Sequence, residues 1–199
     1  MSMERQAAFR QPADGLTDPR ASAVPAQRER ARSHGQPAYG DEMPVPLRLR
    51  RRWRQTFWQG EGVRLLTPLG CGWNDGGCRI AADGLMQWLT TNPEAIARTH
   101  LSVVVSRTFP QQVQHFVAVL HEPDHYHGSI LYLDADGPAS QAVLLTRMAK
   151  QERIVAPMEC AFDAAVHDTA DIPYRPDMSR KLASILEKRL GQFRWTMLR

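Results

Sequence analysis

Between residues 78 and 152 the spacing of apolar residues changes from helical to alternating and back again. That order restricts the folds open to the chain. From Cys78 onward, Cys78, Ala81, Leu85, Trp88 and Leu89 fall on one helical face. Asn74 and Asp75 are candidate caps for this helix, and Asn92-Pro93 ends it. A short second helix is expected over 93–98, with Pro93 in its first turn. Three short β-branched or alternating runs follow, at 101–105, 113–120 and 130–134, and read as strands. The polar stretch 121–129, with Pro123 and Gly128, reads as a hairpin connection between the last two. Helical spacing returns over 140–152 through Val143, Leu144 and Met148. A terminal helix is expected over 179–190, capped by Asp177 or Ser179 and stopped by Gly191. The region 155–176 has no clear period. A helix, then meandering strands, then helices implies an α+β fold with a small antiparallel sheet.

The segment ahead of this pattern divides in two. Residues 1–45 are rich in Arg, Pro, Ala, Gln, Gly and Ser and bury too little apolar surface to offset chain entropy, so a disordered tail is expected there. One domain is expected over 46–199. At its start, Trp53, Phe57 and Trp58 suggest a short amphipathic piece packed on the domain. The formal net charge is +4, and five arginines lie within residues 48–54. A basic run beside an aromatic is one signature of nucleic-acid binding. With no further basic stripe along the chain, the run reads instead as a solvated lead-in to the domain, and nucleic acid is not an expected partner. No apolar stretch approaches the roughly 18 residues a membrane helix needs, and residues 1–40 lack a secretory apolar core. Three cysteines do not make a disulfide framework and are compatible with a reducing compartment. These features suggest a soluble, cytoplasmic protein, or one exported by a route the sequence does not display.

Cys78 opens its helix behind Gly76 and Gly77. Free N–H groups and positive potential at a helix N-terminus favour thiolate, the reactive form, and the same groups can bind an oxyanion. The glycines would let a substrate approach the backbone closely. His115 stands at the entry to a strand, on one face with Val117 and Val119. If the hairpin is centred near His125, the position opposite His115 lies near 135, flanked by Asp134 and Asp136. Either carboxylate would then fix the imidazole tautomer and stabilise its cation. The same four residues, 134–137, also read as a plain turn. Trp73, in the Gly-rich loop, either walls a substrate pocket or simply packs, and Cys71 and Cys160 read as small buried hydrophobes.

Gly76-Gly77-Cys78 opening a helix, Gln114-His115-Phe116-Val117-Ala118-Val119 as a strand and Tyr132-Leu133-Asp134-Ala135-Asp136-Gly137 as the next resemble the papain-like cysteine hydrolase superfamily. Within it they resemble small uncharacterised bacterial and phage-type proteins with the same Cys, His, Asp order. The resemblance covers roughly residues 70 to 155. It implies a papain-like fold, with Cys78 as nucleophile, His115 as base and Asp134 as orienting acid. Asn74, with Gly77 beside the nucleophile, would serve the oxyanion, although the Asn-to-Cys spacing is shorter than in papain itself. The implied activity is a thiol-dependent hydrolase or acyltransferase on a peptide, isopeptide or glutamine amide, with a protein or peptide substrate and no cofactor. The Cys-to-His separation is short for a peptidase with a full cleft, so a compact amidase or deamidase fits equally well.

Two other readings remain at this level. His121, Asp124, His125 and His127 crowd one connection, but no pattern of metal-ligand spacing supports a site, and a polar hairpin tip is expected instead. In a non-catalytic interaction protein, the basic 48–54 segment and the tail would be the working parts and Cys78 would be structural.

Overall fold

A computed structural model describes residues 45–126 and 128–198. The disorder expected for residues 1–45 falls almost wholly outside the described residues, as does His127. Val45, the first described residue, is buried in the core.

The ambiguous lead-in is two helices, α1 (Leu47–Trp58) and α2 (Glu61–Leu66), followed by a 3-10 turn at Thr67–Leu69. Helix α3 spans Cys78–Leu89, and the short α4 spans Pro93–Ile96, where the Asn92 side chain accepts from the Glu94 N–H. Strands β1 (Thr99–Ser106), β2 (Phe109–His121), β3 (Ile130–Asp134) and β4 (Gly137–Ala139) follow. Helix α5 (Gln141–Lys150), strand β5 (Pro157–Ala161) and helix α6 (Pro176–Leu190) complete the order. The five strands form one sheet in the order β4-β3-β2-β1-β5, with every neighbouring pair antiparallel. The expected α+β class and antiparallel sheet are therefore present.

Alternation along the strands builds two layers. Ala118, Leu120, Leu131 and Leu133 pack against α1, α3 and α6 through Trp53, Phe57, Leu85, Trp88, Leu182 and Leu186. On the opposite face Val104, Val117, Val119 and Tyr132 pack against Leu144 and Met148 of α5. Helices α3 and α6 approach closely because residue 84 is glycine: a Cβ there would stand 2.8 Å from a Leu182 methyl and 3.0 Å from the Ser179 carbonyl oxygen. The terminal helix starts at Pro176, three residues earlier than expected, and neither Asp177 nor Ser179 caps it. Proline tolerates the first turn because its missing N–H has no acceptor there. Ser179 is instead fully buried against α3.

Candidate active site

The loop before α3 closes on itself. Gly72 and Gly76 bridge in parallel, Gly76 takes φ +88°, and the Gly77 N–H donates to the Gly72 carbonyl at 2.9 Å. Gly77 is the N-cap, in place of Asn74 or Asp75, and no side chain caps this end of α3. The space at Gly77 allows no side chain, since a Cβ would meet the Gly72 carbonyl oxygen and a Leu66 methyl, each at 2.6 Å. Cys78 is thus fixed at the first position of the helix. Its first-turn N–H groups lack a side-chain acceptor, leaving donors and partial positive charge around the sulfur.

A break in the strand alternation bears on His115. Val113 and Phe116, three residues apart, belong to the same cluster as Cys78, and the β1–β2 register shifts between Val104↔His115 and Val105↔Val113. An extra residue of this kind bends a strand and re-aims its side chains. On simple alternation His115 would share the α5 face with Val117. The strand begins at Phe109 rather than near 113, so His115 lies within β2 beside this shift rather than at the strand entry, close enough to Cys78 for the sulfur to influence its protonation.

Asp134 is the carboxylate that meets the histidine. His115 Nε2 lies 3.3 Å from Asp134 Oδ2, and both residues are 1% exposed. The Ala118↔Leu133 register, continued down the strands, would place Asp136 opposite His115, but the ladder stops at Ala118 and the chain turns back after Asp134. The turn reading of 134–137 also holds, because Asp134 Oδ1 accepts the Asp136 N–H at 2.9 Å and Asp134 pairs with Gly137. Arg147 of α5 donates to Asp134 Oδ2 and lies 3.6 Å from Asp136. From the other layer, the Trp53 indole N–H donates to the Asp134 carbonyl at 2.9 Å, and that of Trp58 to the Ala135 carbonyl at 3.1 Å.

The charges reinforce one another. Burial pulls the His115 pKa down, but Asp134 and Cys78 outweigh it and push the ring from 6.5 up to about 10. Burial pushes Asp134 up, but His115, Arg147 and the Asp136 N–H together hold it below its usual 3.8. With Nε2 on Asp134, Nδ1 is the ring nitrogen left to exchange a proton with Cys78. It is buried and makes no hydrogen bond in the resting geometry.

These shifts give a signed pH dependence. The raised His115 value contributes stability in full below pH 6.5 and loses it as pH rises toward about 10. The depressed Asp134 value contributes in full above 3.8 and is lost as pH falls through the lowered value. Urea unfolding followed from pH 6 to 10 is expected to show the midpoint falling across this window in the wild type. The decline is expected to flatten in His115→Gln, and parallel curves would contradict the assignment.

Cys78 is only 2% exposed, at the base of a cleft of about 230 Å³. One wall is Asn74, Asp75 and Gly76. The other is Gln112 and Gln114 of β2 with residues 168–172. That second wall belongs to the region without a readable period. It is held against the start of β2 by Val113 N–H donating to the Asp168 carbonyl (3.2 Å) and Asp168 N–H donating to the Gln111 carbonyl (2.7 Å). Arg79 fastens it from α3, lying over Tyr174 at 4.3 Å and donating to Thr169 Oγ1 at 3.3 Å.

The other expected residues sort clearly. Asn74 borders the cleft but directs its amide N–H to Asp136 at 3.2 Å. Trp73 does not wall the cleft. It is buried edge-on to Phe57 and donates to the Phe57 carbonyl at 2.6 Å, because the loop folds it inward beneath α1. Cys160 is half-buried rather than core, and its sulfur lies 3.5 Å from His167 Nε2. Burial, and then Glu159, push that thiol's pKa up, which disfavours it as a nucleophile. Among the described residues no cluster of three His, Cys, Asp or Glu side chains is placed to hold a metal ion, and the His121 ring lies tilted against that of His100 with centroids 5.2 Å apart. No helix among them is long and apolar enough to cross a membrane.

Comparison with protein-family models, with curated proteins and with solved structures returns no match. The functional reading therefore rests on the site's own geometry.

Proposed function

We propose that the chain is a papain-like, thiol-dependent hydrolase or acyltransferase that acts on an amide through an acyl-enzyme on Cys78. The observation that carries this reading is the buried His115 ring. Asp134 holds it at 3.3 Å on one nitrogen, it lies beside Cys78, and it is biased toward its protonated form.

In the resting pair His115 is the imidazolium, carrying on Nδ1 the proton that Cys78 has given up, and the sulfur attacks the amide carbonyl. The N–H groups at the start of α3 hold the oxyanion. The imidazolium then gives its proton to the leaving nitrogen, the C–N bond breaks and a thioester remains. Water, or an acceptor amine, attacks the thioester as His115 takes its proton, and the Cys78 sulfur leaves. Asp134 keeps the ring oriented and its cation stabilised throughout, and Arg147 keeps Asp134 ionised. Among the described residues the cleft walls carry Asp75, Asp168 and Asp171 and no lysine or arginine, so the preferred amide is one flanked by positive charge.

The test is a panel of peptide, isopeptide and glutamine-amide substrates, each in a lysine-rich and a glutamate-rich version. Turnover is expected for a lysine-rich member and is lost in Cys78→Ala. Turnover that survives Cys78→Ala would refute the proposal.

A further inference from the structure

Cys78 is sealed in this structure. The residue is 2% exposed, and its cleft, at about 230 Å³, falls below the roughly 300 Å³ at which small-molecule sites begin. An amide under attack has to come within about 3–3.5 Å of the sulfur, so one wall of the cleft must move. Helix α3 and strand β2 are anchored in the core through Ile80, Leu85, Phe116 and Ala118. The loop 72–77 is closed on itself by the Gly77–Gly72 hydrogen bond and packs tightly on Leu66. The wall that remains, 168–172, lies between β5 and α6 in a stretch with no helix or strand of its own beyond an isolated bridge at Asp168.

That stretch can move as a piece. Its internal bonds are local: Asp163 accepts from the Ala165 and His167 N–H groups, Asp168 Oδ1 from Ala170, and the Thr169 carbonyl from Ile172. A swing of the whole segment preserves them. Most of its residues are already exposed, and Ile172 packs half-buried on the cluster that contains Cys78, so lifting uncovers little apolar surface. The bonds from Asp168 to Gln111 and Val113 lie near the exposed start of β2. The other fastenings come from α3. Arg79 donates to Thr169 Oγ1 at 3.3 Å and lies 4.3 Å from the Tyr174 ring centre, and Asp83, one turn on, accepts from the Tyr174 hydroxyl at 2.9 Å. The Arg79 guanidinium also lies over Phe116 and Phe162, at 5.3 and 5.5 Å, so these rings keep it in place when the segment leaves.

We propose that residues 163–174 form a strap that closes the Cys78 cleft and lifts to admit the amide, with Arg79 as its latch. The inference rests on Cys78 being the nucleophile that the amide must reach. Opening is a rapid equilibrium ahead of the reaction at sulfur, so the rate of that reaction scales with the open population. Arg79 is a positioning residue, acting through Thr169 and Tyr174.

Alkylation of Cys78 by iodoacetamide, in the full chain with Cys71 and Cys160 replaced by alanine, tests this. Arg79→Leu should raise the rate about tenfold and Thr169→Val about threefold. Losing a cation beside the sulfur lowers its thiolate fraction and by itself slows the reaction, so a faster rate in Arg79→Leu reports access. Thr169→Val alters neither charge nor shape, and it serves if Arg79→Leu fails to fold by circular dichroism. Below the unfolding midpoint the rates should be nearly flat in urea, because strap opening exposes little surface. Rates unchanged in the folded latch variants would overturn the proposal. So would rates that climb with urea as steeply as global unfolding does. Adding His115→Ala separates this inference from the enzyme reading. If the enzyme reading fails, His115→Ala leaves the rate unaltered while the latch variants still accelerate it. If the strap fails, His115→Ala slows the reaction and the latch variants have no effect.

Discussion

Alkylation of Cys78 by iodoacetamide is expected to slow about 10²-fold or more when His115 is replaced by alanine, in a background where Cys71 and Cys160 are both alanine. General-base assistance of this kind typically contributes 10²–10⁴-fold. Here the base is buried and already oriented, its Nε2 fixed by Asp134 and its Nδ1 free of other bonds. Asp134→Asn should give a smaller loss, because the ring keeps a hydrogen-bonding neighbour but loses the charge that stabilises imidazolium. Cys71→Ala in the otherwise native chain should retain turnover, and Cys78→Ala should abolish it while leaving the fold intact. In a non-catalytic protein, Cys78 would react like a buried thiol and His115→Ala would not slow it. Peptide mass mapping at timed intervals measures each rate.

The second large effect is on stability. Trp53→Ala is expected to cost about 3–5 kcal/mol in denaturant unfolding. The indole is 1% exposed, stacks on Phe57 at 5.7 Å and meets Trp88 edge-on at 5.9 Å. Its N–H is also a partner of the Asp134 carbonyl. Trp53→Phe retains most of the packing but leaves that carbonyl without this donor, at about 1–3 kcal/mol. Because the lost bond anchors the turn bearing Asp134, Trp53→Phe should also slow Cys78 alkylation, although residue 53 is far from the sulfur in sequence. Slowed alkylation in Trp53→Phe separates an anchoring role from packing alone.

The parts of this fold that were legible in the sequence are those set by local spacing. The face of α3, the three core strands, Asn92-Pro93 and the Gly191 stop all follow from periods and breakers within a few residues. Cys78 and the 134–136 pair were legible for the same reason, since each sits at an element boundary, whereas His115 lies within β2 and was legible only as a polar residue in an apolar run. What stayed hidden depends on contacts between distant segments. Strand β5 has no period of its own and exists because β1 offers an edge from Ser102 to Ser106. Residues 168–172 become a cleft wall only through backbone bonds to Gln111 and Val113 and through Arg79. Arg147 was read simply as part of a helix, and nothing nearby marks it as the partner of Asp134. Trp73, in a glycine-rich loop, carried a local signal for exposure, yet Phe57 and its carbonyl draw the ring inward. The choice between Asp134 and Asp136 turned on where the β2–β3 ladder stops, which residue counting does not determine.

The account depends on an imidazole held protonated in a dry site between Cys78 and Asp134. Heteronuclear NMR of the protein labelled at histidine, with His115 assigned through His115→Gln, reads that state directly. A His115 ring that remains imidazolium through pH 8 and titrates near 10, and that shifts to a lower value in Cys78→Ala, is the expected result. A ring that is neutral at pH 7, or whose titration is unaffected by removing the Cys78 sulfur, would contradict the account.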